Sequence, residues 1–190
     1  MAKDYFNDPE NVKKYIQMVE DYDGGDMVSI LRKHLPEGSS LLELGMGPGK
    51  DLDLLSEYYR TSGSDSSQLF LDIYLKKNPG ADIMKLDATL INTTRRFDCL
   101  YSNKVLHLLS KEDLISSVKR QWHVLNDNGI LFHTFWKGNK EIFINDLRFV
   151  YYTSKYLRNL FQGHFEIITI QSYGETDEKD SLYLICQKKC

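Results

Sequence analysis

The chain has 190 residues, 42% of them hydrophobic and 27% charged, which favours one well-packed globular domain. A formal net charge of −3 gives no general electrostatic reason to bind nucleic acid. No apolar run approaches the roughly 20 residues that cross a bilayer, and the polar amino terminus lacks the apolar segment of a secretory signal. We therefore expect a cytoplasmic protein with no membrane or nucleic-acid partner.

Two helices are predicted before the first strand. Asp8 followed by Pro9 is typical of a helix start, and apolar residues at helical spacing continue the first helix to Glu20. A second helix is expected at 26–34, ending before Pro36. We expect residues 1–36 to form a helical cap and residues 37–190 the core of a single domain.

The stretch LLELGMGPGKD at 41–51 predicts a buried strand, a tight turn and a helix start. Gly45, Gly47 and Gly49 permit positive φ and let a ligand approach main-chain N–H groups at a helix N-terminus. The pattern is G-x-G-x-G, whereas the dinucleotide fingerprint is G-x-G-x-x-G. The turn is therefore either a nucleotide-binding turn of another type or an ordinary tight turn.

Acidic residues follow the second and third predicted strands. Asp65 ends the strand at 60–65, at the distance after the glycines where a carboxylate takes ribose hydroxyls. The alternative is that Asp65 caps the predicted helix at 68–77. Asp87 follows the predicted third strand at 81–86. Its carboxylate either contacts a ligand or belongs to a simple turn.

The second half predicts further alternation of strands and helices. The fourth strand is expected at 99–102 and leads into Asn103, and a helix from Ser110 to about Asn126 precedes a fifth strand at 130–136. A helix at 143–161 and strands at 165–173 and 182–187 complete the chain. The fold class is α/β, a three-layer α/β/α sandwich with two N-terminal helices and a seven-stranded, mostly parallel sheet with one antiparallel strand. Three cysteines without a C-x-x-C pair predict no metal site.

Two motifs together resemble one enzyme family. The string E-x-G-x-G-x-G at Glu43 to Gly49 is similar to motif I of the class I, Rossmann-like, S-adenosylmethionine-dependent methyltransferases, and FDCLYSNKVLHLLSKED resembles their motif IV. The resemblance implies S-adenosyl-L-methionine as cofactor, S-adenosyl-L-homocysteine as product and a small-molecule acceptor. It covers residues 41–136 by motif. The implied cofactor-binding residues are Glu43, Gly45, Met46, Gly47, Gly49, Asp65, Ser66, Asp87, Ala88, Asn103, Lys104 and Val105.

The sequence indicates the residues that would act on the methyl acceptor less clearly than those that would bind the cofactor. His107, after the fourth strand, and His133, within the fifth, are the candidate general bases, and each is otherwise a packed or exposed histidine. The chain lacks the D/N-P-P-Y/F and Pro-Cys motifs of nucleic-acid base methylation after the fourth strand. The alternatives are a cofactor-binding protein without turnover and an NAD-type Rossmann enzyme. We expect a monomer or a homodimer.

Overall fold

The computed structural model describes residues 5–145 and 147–189. The strands in these residues are β1 (Ser40–Leu44), β2 (Arg60–Asp65), β3 (Ile83–Lys85), β4 (Phe97–Ser102), β5 (Leu125–Trp136), β6 (Glu141–Ile144), β7 (Leu147–Val150), β8 (Phe165–Tyr173) and β9 (Ser181–Lys188). The helices are α1 (Pro9–Met18), α2 (Gly25–Leu31), α3 (Lys50–Ser56), α4 (Gln68–Lys77), α5 (Lys111–Val124) and α6 (Ser154–Phe161), with a 3₁₀ turn at Leu106–Leu108.

Seven of the described strands form one sheet in the order β3-β2-β1-β4-β5-β9-β8. All neighbouring pairs are parallel except the two that include β9. This arrangement confirms the predicted mostly parallel sheet with one antiparallel strand. The order reverses between β1 and β4, so a crevice opens beyond the carboxyl ends of these strands.

Alternate residues of the central strands face two separate apolar layers. Leu42 of β1 and Leu100 of β4 pack with α5 and α6 residues on one side of the sheet. Leu41 of β1 and Tyr101 of β4 pack on the other side, together with Leu31 of α2. This alternation produces the three-layer α/β/α sandwich, because a strand covered on both faces has apolar side chains in both directions. Helix α2 is thus part of the main core, while the boundary drawn at residue 36 stays a prediction.

The predicted helix at 143–161 is wrong in its first half. Strands β6 and β7 form an antiparallel hairpin there, and helix α6 begins only at Ser154, where the Thr153 side chain accepts the backbone N–H of Tyr156 at 3.1 Å. Asn145 has a φ of 48° between the two strands, which ends any continuous helix. Leu147 and Val150 are buried by this hairpin. Tertiary packing therefore overrides an aromatic spacing that also suits a helix.

Three smaller findings concern the described residues. Cys99 and Cys186 are buried free thiols, and Cys190 lies outside the described residues. No cluster of three or more potential metal-ligating side chains occurs in 5–145 and 147–189. Over the same ranges, no helix has the length and apolar character needed to cross a membrane.

Candidate functional site

The glycine turn joins β1 to α3 in a conformation that requires glycine. Gly45, Gly47 and Gly49 have φ values of 71°, 50° and 89°. A Cβ on Gly45 would lie 2.5 Å from a methyl carbon of Val105, and a Cβ on Gly49 would overlap the ring of Tyr74. Two of the three glycines are therefore demanded both by backbone conformation and by close packing.

Three backbone N–H groups of the turn donate hydrogen bonds to other groups of the protein. Met46 N donates to Ser64 O at 2.8 Å, and Gly49 N donates to Met46 O at 2.9 Å. Gly47 N donates to the carboxylate of Asp65 at 2.9 Å. These three donors are consequently not free to cradle a phosphate, as a dinucleotide-binding turn would require.

Three buried carboxyl groups surround the turn. Glu43, Asp51 and Asp65 are 3%, 6% and 8% exposed. Burial raises the pKa of each of them above its ordinary value. Glu43 Oε2 and Asp51 Oδ1 have no hydrogen-bond partner among the residues that the structure describes. Because unpaired buried carboxyl oxygens are costly, this arrangement favours a positively charged ligand.

Asp51 connects the turn to the end of β4. Its Oδ2 accepts hydrogen bonds from Tyr101 Oη at 2.9 Å and Asn103 Nδ2 at 2.9 Å. Asn103 Nδ2 also contacts the hydroxyl of Tyr22, which follows α1. The sequence did not single out Asp51, although its place two residues after the last glycine was a usable signal.

The N-terminal segment covers the turn with aromatic rings. Tyr15 lies 3.6 Å from the position that a Gly47 Cβ would occupy. Its ring makes edge contacts with Phe6 at 5.3 Å and Phe70 at 5.7 Å between centroids. Burial, with Asp65 and the other nearby carboxylates, raises the pKa of Tyr15 to about 12. Helix α1 therefore closes one side of the crevice.

Asp65 and Asp87 lie at the carboxyl ends of β2 and β3, on the same sheet edge as the turn. Besides Gly47, Asp65 accepts the N–H of Ser67 at 2.8 Å. It does not act as the α4 N-cap residue, which is Ser67. Asp87 Oδ1 accepts the N–H of Thr89 at 2.8 Å, and Asp87 and Ala88 are both partly exposed.

The other predicted cofactor-binding residues differ in their burial and in the direction of their side chains. The Met46 side chain is buried in an apolar cluster with Leu52 and Leu71. Ser66 is partly exposed beside Asp65. Val105 packs against Gly45. Lys104 extends away from the turn, and its ammonium lies 3.2 Å from the centroid of the Trp136 ring.

His133 lies inside a hydrogen-bonded network between the sheet and α5. Its Nδ1 is 2.8 Å from Ser102 Oγ, and its Nε2 is 3.0 Å from Gln121 Oε1. Gln121 Nε2 donates to Ser117 Oγ, which donates to Ala88 O. The network assigns the proton to Nε2, because Gln121 must accept there and Ser102 then donates to Nδ1. Burial lowers the pKa of His133 to about 3, so this geometry gives no support to a general-base role.

His107 is buried beside the crevice but is surrounded by aromatic rings. It stacks on Phe149 of β7 at 5.3 Å and meets the edge of Trp136 at 6.3 Å. Neither ring nitrogen has a hydrogen-bond partner among the described residues. Burial and the nearby Lys104 lower its pKa to about 3. A neutral histidine of such low basicity is a poor proton acceptor at neutral pH.

Known proteins resemble this chain in sequence or in fold. Residues 42–133, from β1 to β5, match the family model described as a methyltransferase domain. Over these residues, just under half of its length, the chain is similar to a methyltransferase domain. Its glycine turn and the segment after β4, the two motifs that suggested this family from sequence, both lie within the matched residues.

One curated relative and two solved structures illustrate the likeness of this chain to methyltransferases. A dTDP-3-amino-3,6-dideoxy-alpha-D-glucopyranose N,N-dimethyltransferase from Streptomyces fradiae is 29% identical over 119 residues, which cover 60% of this chain and 46% of the relative. The chain thus spans about half the length of that relative. A TehB-like S-adenosylmethionine-dependent methyltransferase from Corynebacterium glutamicum superimposes with a TM-score of 0.78 at 16% identity, covering 96% of this chain and 100% of that one.

The second structure is the Burkholderia thailandensis 1,6-didemethyltoxoflavin-N1-methyltransferase with bound 1,6-didemethyltoxoflavin and S-adenosylhomocysteine. It has a TM-score of 0.75 at 16% identity, and the match covers 94% of this chain and 87% of that one. At this identity the likeness concerns the fold. The ligand of this chain is therefore inferred from its own site.

We expect Glu43→Gln to make the ligand-free protein more stable at alkaline pH. The folded state raises the pKa of Glu43, so it binds the proton more strongly than the unfolded chain, and stability falls as pH rises above the ordinary value of about 4.3. Each pH unit between the two pKa values is worth about 1.4 kcal/mol. Urea unfolding of both proteins at several pH values measures this: the advantage of the variant should be absent at acid pH and should grow with pH. An equal pH dependence would show that Glu43 ionises normally.

Proposed function

We propose that this protein transfers a methyl group from S-adenosyl-L-methionine to a small-molecule acceptor and releases S-adenosyl-L-homocysteine. The match of residues 42–133 to a methyltransferase domain and the sheet order support this proposal. When bound, S-adenosylmethionine supplies a sulfonium-activated methyl group for an in-line displacement. A cytoplasmic location, a monomeric or homodimeric state and the cap boundary at residue 36 stay predictions.

The charge around the glycine turn is the observation that carries the proposal. S-adenosylmethionine has a sulfonium and an ammonium, and the buried carboxyl groups of Glu43 and Asp51 each have one oxygen without a partner among the described residues. A pyrophosphate would place negative charge beside the carboxyl groups of Glu43, Asp51 and Asp65 and oppose their ionisation, whereas a cation favours it. The donor set therefore fits a cationic cofactor better than NAD.

The residues that would hold the cofactor come from the ends of neighbouring strands. Asp65 has lone pairs left for ribose hydroxyls after accepting two N–H groups. Asp87 and Ala88, at the end of β3, would border the adenine. Gly45 and Gly47 allow close backbone approach, and Asp51 would face the charged methionine end. These assignments agree with those that the family resemblance implies and extend them to Asp51.

The protein's contribution to rate is chiefly the positioning of two reactants. Tyr15 and Tyr22 cover the crevice from the N-terminal side and reduce its contact with water. Holding donor and acceptor in near-attack geometry supplies about 7 to 11 kcal/mol in favourable cases. The name of the Streptomyces relative specifies methylation at nitrogen, which supports a nitrogen-bearing acceptor for this chain.

Isothermal titration with S-adenosylhomocysteine, run beside NAD, tests the cofactor. We expect micromolar binding of S-adenosylhomocysteine and none of NAD, because only the former lacks a pyrophosphate. Binding of NAD alone, or of neither compound, would contradict the proposal. Incubation with methyl-labelled S-adenosylmethionine and small amines then distinguishes an enzyme from a cofactor-binding protein without turnover.

A further inference from the structure

Lys104 follows Asn103 at the end of β4 and turns its side chain away from the glycine loop. Its φ of 54° is in the left-handed region, and its backbone N donates to Thr134 Oγ1 at 2.8 Å. Such a conformation is uncommon for a residue other than glycine and is often associated with functional sites. It directs the lysine toward the neighbouring ends of β5, β8 and β9, across β4 from the glycine turn.

The ammonium of Lys104 is enclosed by aromatic and acidic groups. It lies 3.2 Å from the Trp136 ring centroid and 5.6 Å from that of Tyr173. It donates to Ser181 Oγ at 2.6 Å and lies 3.7 Å from Glu175 Oε2. The side chains of Lys104 and Glu175 are only 14% and 19% exposed. This enclosure stabilises a proton on the lysine once it has been received.

Polar contacts connect this enclosure to the cofactor side. Thr134 Oγ1 donates to Asn103 Oδ1 at 2.5 Å, and Asn103 in turn contacts Asp51 beside the glycine turn. Tyr173 Oη donates to Glu175 Oε2 at 2.7 Å, on the far side of Lys104. Lys104 thus lies next to the point where the cofactor and acceptor sides of the crevice meet. His133 is committed to its own network and His107 has little basicity, so Lys104 is the better-placed base.

We propose that Lys104 takes the proton that the methyl acceptor loses. The proposal rests on the proposed function and assigns one step of it. The acceptor atom, a nitrogen or oxygen bearing hydrogen, forms a bond to the methyl carbon while the carbon–sulfur bond breaks and its electrons return to sulfur. The acceptor's proton passes to Nζ of Lys104, which becomes an ammonium beside Glu175. The acceptor class is therefore one with an exchangeable proton on the attacking atom.

The charges around Lys104 are consistent with a base. Burial lowers its pKa to about 8, and the nearby carboxylates of Glu175 and Asp180 limit the decrease. Tyr173 and His107 are the other titratable groups near it. The positive charge of Lys104 contributes to the lowered pKa of His107. A bound sulfonium would lower the pKa further, since like charges disfavour protonation. Part of the lysine population is then neutral at physiological pH and available to accept a proton.

Lysine titration by NMR tests the proposal in the full chain. The ε-methylene signals of isotope-labelled lysine are followed from about pH 6 to about pH 9, with saturating S-adenosylhomocysteine and, separately, with fresh S-adenosylmethionine. The Lys104 signal is assigned by its loss in Lys104→Arg. We expect its midpoint to be lower with S-adenosylmethionine by about one pH unit, the effect of a unit charge about 10 Å away at an effective dielectric constant of about 20.

Lys188 is a matched control within the same molecule. It is also buried, with its ammonium 4.4 Å from the centroid of the Trp122 ring and 2.9 Å from Leu125 O. It lies at the opposite end of β9 from Ser181, about 23 Å away at about 3.3 Å per residue. Its signal should be the same with both cofactors. A second variant, Lys104→Met, should leave the affinity for S-adenosylhomocysteine within about twofold, because the side chain faces the acceptor.

The possible outcomes distinguish failure of the Lys104 assignment from failure of the proposed function. If S-adenosylhomocysteine binds but Lys104 titrates near its ordinary value of about 10.4, or identically with both cofactors, the base assignment is overturned and the cofactor assignment stands. A loss of cofactor affinity of about tenfold or more in Lys104→Met would place the lysine on the cofactor and also overturn the base assignment. If S-adenosylhomocysteine does not bind, the proposed function itself fails.

Discussion

Gly45→Ala should lower the free energy of unfolding by about 2 to 5 kcal/mol. The φ of 71° at Gly45 costs an L-residue about 1 to 2 kcal/mol, and the new methyl group would lie 2.5 Å from Val105, an overpacking that costs about 1 to 3 kcal/mol. Urea unfolding measures the sum. We also expect weaker binding of S-adenosylhomocysteine, because the turn must move to relieve the contact.

Gly38→Ala separates the two causes. Gly38 has a φ of 78°, but no atom outside its immediate chain neighbours lies within 4 Å of the position of its Cβ. It therefore reports backbone strain alone, and the excess loss in Gly45→Ala reports the packing against Val105. Val105→Ala should recover part of that excess in the double variant, since it removes the methyl groups that are too close. Equal losses for the two glycines would contradict the close packing at the turn.

Asp65→Ala should weaken the binding of S-adenosylhomocysteine by about 1.5 to 3 kcal/mol, or about 10-fold to 150-fold in Kd. The carboxylate is expected to accept ribose hydroxyls, and hydrogen bonds to a charged group have this magnitude. It also holds the N–H groups of Gly47 and Ser67. The variant should therefore be less stable as well, although the sheet and its core remain.

Asp72→Ala is the matched control, because it removes the same charge from an exposed position on α4 where the carboxylate accepts only from Gln68 among the hydrogen bonds described. Its cofactor affinity should equal that of the natural chain. Calorimetric titration of the folded proteins measures both variants, with circular dichroism to establish that each is folded. Unchanged affinity in Asp65→Ala would remove the ribose assignment.

Much of the fold was predictable because local patterns and long-range packing agree. Strand β2 spans the predicted Arg60–Asp65, despite few β-forming residues, because it lies in the sheet between β1 and β3. The capping pattern at Ser110 also holds, with its side chain accepting the N–H of Asp113 at 3.0 Å. The β6–β7 hairpin was missed because its alternation is short and its stability comes from packing against the 3₁₀ turn after β4.

The candidate site was only partly predictable for a related reason. Residues at the carboxyl ends of parallel strands must share one edge of the sheet, so the glycine turn, Asp65, Asp87 and Asn103 could be grouped from strand order alone. No sequence pattern pointed to Glu175, which comes from the turn between β8 and β9 and meets Lys104 only in the folded chain. Nor does strand alternation reveal which face of β5 His133 occupies.

The sequence by itself indicated the resemblance to methyltransferases, the α/β fold class and the mostly parallel sheet with one antiparallel strand, because these depend on chain-local motifs and on the directional rules of α/β sheets. Tertiary structure decided the chemistry of individual side chains. Burial and hydrogen bonding directed His133 into a closed network and Lys104 toward Trp136 and Glu175. Side-chain direction and basicity depend on neighbours distant in the chain, which no local pattern specifies.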